Sequence, residues 1–369
     1  MVRSRGERRK ELQTSIPCVL MRGGTSKGPF FAASDLPSDP VLRDRVLLRV
    51  MGSPDSQQID GVGGATTVTS KVAIVSPSAH PWAEVDYLFA QVEVERSRVD
   101  TAPSCGNMLA AVGPYALEQG LVQPDRGESR VRIRSVNTGS LVEAVVQTPD
   151  GHVSYEGDAV ISGVPGSSSR IELHLTDVVG SKTGAMFPTG RRTDLIEGLS
   201  VSCVDVAVPM VLVPALEMGK TGLESKAELD KDDEFRRRLE EVRLVAGRRM
   251  GLGEVQDSVV PKVALVAPPR RGGQLTARYF TPRDAHPSFA ALGAVCVSTA
   301  AAIPGTVASA VSSEVNSEVV IEHPSGSIET GVEIAMHDGE LTVAARVVRS
   351  ARRLFAGEVY LPASVWDGT

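Results

Sequence analysis

The chain has 369 residues, enough to bury a large core, and the usual size of a folding unit makes two domains the first expectation. Its net charge is −6, its isoelectric point is about 5.7, and only 4% of its residues are aromatic, which excludes a broad phosphate-binding face and with it a nucleic-acid partner. Four widely spaced cysteines (Cys18, Cys105, Cys203 and Cys296) form no C-x-x-C pair, and six single histidines form no metal-ligand motif, so a reducing, cytoplasmic setting without metal or cofactor is expected.

Residues 1–12 carry charges of both signs and no apolar run, so they read as a mobile tail and not as a secretory leader. A strand over 16–21 leads through Arg22-Gly23-Gly24-Thr25-Ser26-Lys27-Gly28 into a second strand, and a polar helix follows over 40–51. The Gly-rich stretch 61–70 ends at Lys71, which opens an apolar strand over 72–75, and 87–94 alternates as another strand. Ser104-Cys105-Gly106-Asn107 then heads an apolar helix running to about 119, with Gly120 as its C-cap. Further strands are predicted at 131–135, 141–147 and 171–175.

Gly, Ser and Pro punctuation over 163–166 and 180–190 marks the crossing between halves. It sets domains at 13–182 and 183–369, with the last strand able to return to the first domain. Strands at 199–205 and 210–213 precede a charged helix over 226–250, and strands at 262–267 and 276–280 precede an apolar helix over 289–303. That last helix is Ala-rich and stops at Pro304, short of a bilayer span, so no membrane partner is expected. Strands return at 319–322, 328–334 and 341–348. Each half thus has an apolar helix among strands, begun by a polar knot containing Cys105 or Ser288. A cleft between the halves would bring the two helix starts together.

A cysteine at a helix start meets free backbone N–H groups and the positive end of the helix dipole, which favour a thiolate or a bound carboxylate. Lys71 would hold an amine against a loop while its backbone is anchored in a strand. Each alone has a plainer explanation, a buried apolar cysteine or a solvated strand-end lysine, so the combination carries the reading. The two glycine loops echo each other in ending Ser26-Lys27 and Ser70-Lys71. Neither matches a phosphate loop or a dinucleotide turn, although both could cradle carboxylates.

The segments 21–28, 58–65 with Thr69-Ser70-Lys71, and Cys105-Gly106-Asn107 resemble the PrpF-type isomerases and tautomerases, over nearly the whole chain after the first dozen residues. Within that family, 86–92, 112–116 and 264–273 are most similar to the 4-oxalomesaconate tautomerases. The resemblance implies an α+β, diaminopimelate-epimerase-like fold of two similar domains, each wrapping strands around a central helix, with the active site between them. It also implies a cofactor-independent 1,3-proton shift in an unsaturated di- or tricarboxylate. Cys105 and Lys71 would be the proton carriers. Arg22, Ser26, Lys27, Thr66, Thr67, Ser70, Gly106 and Asn107 would bind carboxylates, and Lys262, Arg283 and Ser288 would be wall residues. The epimerase has a cysteine at each helix start; Ser288 stands at the second one here, which argues against racemisation and leaves Lys71 as the partner of Cys105. Two other readings stay open, an aconitate or 2-methylaconitate Δ-isomerase and a non-catalytic carboxylate-binding accessory protein. A homodimer is compatible with the chain.

Overall fold

The computed structural model describes residues 12–176, 178–281, 284–337 and 340–368. The tail reading for 1–12 therefore falls, Leu12 apart, outside the described residues, as does Arg283. The early part of the chain supplies strands β1 (Gln13–Gly23), β2 (Ser26–Ala32), β3 (Lys71–Pro77), β4 (Val85–Val92), β5 (Val99–Asp100), β6 (Gly127–Ser135), β7 (Leu141–Thr148) and β8 (Ile171–Thr176). The later part supplies β9 (Asp194–Ile196), β10 (Leu199–Val206), β11 (Val208–Pro214), β12 (Lys262–Ala267), β13 (Leu275–Thr281), β14 (Asp284–Ala285), β15 (Glu318–His323), β16 (Gly326–His337), β17 (Glu340–Arg349) and β18 (Ala351–Pro362).

The pairing pattern is the same in both parts. In the order β1-β2-β3-β4-β6-β7-β8, successive pairs are antiparallel, parallel, antiparallel, parallel, antiparallel and antiparallel. The series β10-β11-β12-β13-β15-β16-β17 repeats that sequence step for step. Strand β8 pairs with β17 and joins the two series. Strand β18, which the sequence reading does not set out as an element, runs antiparallel to β1 from Gln13↔Pro362 to Gly23↔Ala351 and ties the end of the chain to its beginning. The result is a mixed, sheet-dominated α/β architecture.

Helices fill the parallel connections, because parallel neighbours need a crossover. Helix α1 (Pro40–Met51) lies where it is predicted, begun by Asp39, whose carboxylate accepts from Leu42 N, and by Pro40 at its first position. It buries Val46, Leu47, Val50 and Met51. The helix predicted from Cys105 to 119 is instead two pieces, α2 (Gly106–Leu109) and α3 (Val112–Glu118). Pro114 has no N–H to offer the carbonyl of Ala110, so the ladder cannot run through. The helix predicted over 226–250 is likewise split, into α4 (Lys226–Lys231) and α5 (Asp233–Arg249), because Asp232 turns out of the helix and caps Phe235 N at 3.0 Å.

Helix α6 (Ala291–Ala302) is buried at every residue from Ala291 to Ala301, whereas α1 and α5 bury one face only. A helix apolar all round belongs inside a protein, and its apolar length is too short to span a bilayer. It packs with α2, α3 and α7 (Val307–Val311) in one continuous core that draws strands from both series. No described helix is long and apolar enough to cross a membrane.

Candidate active site

Lys71 opens β3 and is almost fully buried. Its Nζ donates to Gln91 Oε1 at 2.8 Å and stands 4.9 Å from the centre of the Phe89 ring. Gln91 cannot turn the other end of its amide toward the lysine, because its Nε2 is held by the carbonyls of Ser70 (2.8 Å) and Thr67 (3.2 Å). The glycines of the first loop serve close approach: a Cβ on Gly28 would lie 1.8 Å from the Lys71 carbonyl oxygen, and one on Gly23 would lie 2.2 Å from that of Asn107.

Cys105 immediately precedes α2 and is half-buried. Its carbonyl accepts from Leu109 N at 2.9 Å and from the Tyr87 hydroxyl at 3.2 Å, which fixes the main chain that carries the thiol. Gly106 packs on the start of α6 so tightly that a Cβ would sit 2.9 Å from Ala291 Cβ, so the two helix starts do meet. Asn107 is buried, with Nδ2 donating to Thr25 Oγ1 at 3.0 Å and Oδ1 left without a partner. Ser26 Oγ is also buried and unpartnered.

These residues converge on one chamber. Ser26, Lys71, Gln91, Cys105, Gly106 and Asn107 line it together with Lys262, Tyr279, His286, Ala290 and Leu292 from the later part of the chain, around about 40 Å³ of free space. Gln91, Lys262 and Thr281 are shared with a wider cavity of about 390 Å³, and Thr66 and Thr67 stand on the wall of that outer space.

Lys262, the first residue of β12, is the electrostatic centre of the chamber. Burial, then the charge of Lys71, push its amine down to about 7, while Asp100 and Cys105 pull the other way. His286 is pushed down to about 3 by burial, then by Lys71, so the imidazole is neutral. Its Nδ1 accepts from Ser288 N at 3.0 Å, which leaves the hydrogen on Nε2. The hydroxyl of Tyr279 stays protonated, because burial raises it.

Several predicted binders lie elsewhere. Arg22 donates to the carbonyls of Gly24 and Ser350 and to the hydroxyls of Ser350 and Ser168, so its guanidinium is occupied within the fold. Ser70 donates to Val92 O and accepts from Gln58 Nε2. Lys27 anchors its loop through its main-chain N–H to Val68 O and lines neither space. Ser288 donates to Ser162 O and faces a separate cavity. Conversely, Gln91, Tyr279 and His286 line the chamber without being candidates in the sequence. Two signals were available: Gln91 lies in the segment 86–92 that carries the family resemblance, and His286 sits in the polar knot before α6.

Comparison with known proteins places this geometry in context. The family model described as PrpF protein matches residues 13–362. The 4-oxalomesaconate tautomerase of Pseudomonas putida is 48% identical over 96% of the chain and 99% of that protein. The crystal structure of methylitaconate-delta-isomerase superposes with a TM-score of 0.77 at 37% identity, covering 96% of this chain and 97% of the other. A hydroxyproline epimerase from Agrobacterium vitis shares the fold at 14% identity, with a TM-score of 0.59 over 96% of this chain and 95% of the other.

Proposed function

The chain belongs to the PrpF family and is an isomerase, and from that premise we propose that it catalyses a cofactor-independent 1,3-proton shift in an unsaturated di- or tricarboxylate, with keto–enol tautomerisation of 4-oxalomesaconate as the leading reaction. The observation that carries this reading is the presence of Lys71 and Cys105, from segments more than thirty residues apart, on the walls of one buried chamber.

In the proposed step one of the two takes a proton from the carbon next to the keto group. The C–H electrons form the new C=C bond, the carbonyl π electrons move onto oxygen, and that oxygen is protonated to give the enol. The developing negative charge meets Lys262 and the Nε2–H of His286, donors already in place before the reaction. Ser26 and Asn107, whose buried oxygens lack partners, are the remaining candidates for holding a carboxyl or enol hydroxyl. Arg22 and Ser70, engaged by the main chain, are assigned positioning roles.

The repeated strand pattern supports a diaminopimelate-epimerase-like arrangement of two units, 13–182 and 183–369, with the chamber between them. Allylic isomerisation of an aconitate-type acid is the second reading, favoured by the likeness to methylitaconate-delta-isomerase, because the same two proton carriers could return the proton to carbon. An absorbance assay of the purified protein against oxalomesaconate, methylaconitate, cis- and trans-aconitate and methylitaconate decides between them. The fastest initial rate is expected with oxalomesaconate. Failure of every acid to turn over, with no solvent deuterium entering any of them, would refute the proposal.

A further inference from the structure

A second cavity, of about 400 Å³, shares no lining residue with the Cys105 chamber. At its wall lies Arg349, the last residue of β17, only 4% exposed. One guanidinium nitrogen, Nη1, donates to Val348 O at 2.9 Å, while Nε is buried and has no partner. The other two arginines on the wall are already matched, Arg346 with Glu318 at 2.6 Å and Arg170 with Glu172 at 2.7 Å. Arg349 has no carboxylate within ion-pair distance among the described residues. Burial alone pushes it down to about 10, with no acidic neighbour offsetting the cost. A desolvated cation without a counter-charge is unfavourable unless something else supplies one.

We propose that this cavity is an anion-binding site for a singly charged carboxylate seated on Arg349. The ligand carries one negative charge because the wall offers one buried unmatched cation, while the exposed Asp158 and Glu329 on the same wall disfavour a dianion such as phosphate. The wall is mostly polar, and Phe289, Ile328 and Val348 supply the one apolar stretch against which a flat ring can rest. Thr25 reaches from this cavity to Asn107, accepting from its Nδ2, so the site abuts the chamber without opening into it.

4-Fluorobenzoate, followed by fluorine NMR titration of the full chain, is a probe of the right charge and shape. Binding is expected to weaken by at least about tenfold in Arg349→Gln, as the loss of a charge-assisted bond would require. The same loss is expected in Ser327→Trp, which blocks the exposed mouth and leaves Arg349 in place should the first variant not fold. Lys71→Ala should bind as the wild type does, and excess phosphate should not displace the probe. Binding unchanged in both cavity variants, binding lost in Lys71→Ala, or displacement by phosphate would each overturn the proposal.

Discussion

The two helix starts at the centre of the molecule occupy equivalent places in the repeated strand pattern but bring different chemistry. The first, at Cys105, carries a thiol and is followed by a helix that breaks after Leu109. The second, at Ala290, offers the chamber the apolar groups of Ala290 and Leu292 and continues as an unbroken helix, buried from Ala291 to Ala301. Ser288, two residues earlier, turns its hydroxyl away to Ser162. A duplicated framework thus need not carry a duplicated function. In the proposed mechanism one start supplies a proton carrier, the other supplies part of the chamber wall, and the second proton carrier, Lys71, comes from a strand.

That asymmetry can be broken at either side. Cys105→Ser and Lys71→Ala should each lower kcat by about 10² to 10⁴, the range for losing a proton-transfer group, with little change in substrate affinity. Steady-state kinetics on the preferred acid measures this. Gly106→Val drives a side chain into Ala291 and Leu292 and should cost about 1–3 kcal/mol in a denaturant titration.

Lys262→Met sharpens the comparison from the other direction. The buried amine, held near 7, is costlier to keep charged than its unfolded counterpart at 10.5, so the unfolded chain binds more protons between those values and wild-type stability rises with pH across them. Removing the amine should flatten that rise and raise the melting temperature at pH 6, while lowering kcat. In Lys262→Arg, the loss of activity expected above pH 7 in the wild type should move to higher pH.

His286 and His323 have folded values near 3 and 4 against 6.5, so each costs stability as the pH falls below 6.5, by up to about 1.4 kcal/mol per pH unit until its own folded value is reached. Unfolding midpoints between pH 7 and 4 test this, and His286→Gln should reduce the slope. The smallest effect belongs to Ser288→Ala, about 1 kcal/mol for one hydrogen bond, with kcat moving far less than in Cys105→Ser.

Local patterns were readable where local physics decides. The bounds of α1 and β12 follow from a cap, a proline and an apolar run, and Cys105 and Lys71 stand in distinctive surroundings. Long-range matters were not. Arg22 looks like a carboxylate ligand until Ser350, 328 residues away, takes its hydrogen bonds. Ser70 is likewise claimed by Val92 and Gln58, partners that only the β3–β4 pairing and the folded loop bring near. Gln91 becomes part of the site only because it is the register partner of Lys71. Asp232 lay inside an otherwise continuous helical pattern, and its capping of Phe235 N shows only in the folded chain.

The volume of the inner chamber has a consequence for turnover. About 40 Å³ is room for roughly three water molecules, whereas a seven-carbon keto acid with three carboxyl groups has more than ten heavy atoms. The chamber shares Gln91, Lys262 and Thr281 with the wider cavity of about 390 Å³, so the proposed acid would lie across both, its reacting carbon in the inner space and its remaining carboxyl groups in the outer one. Substitutions at the outer Thr66 and Thr67 are therefore expected to raise KM more than they lower kcat.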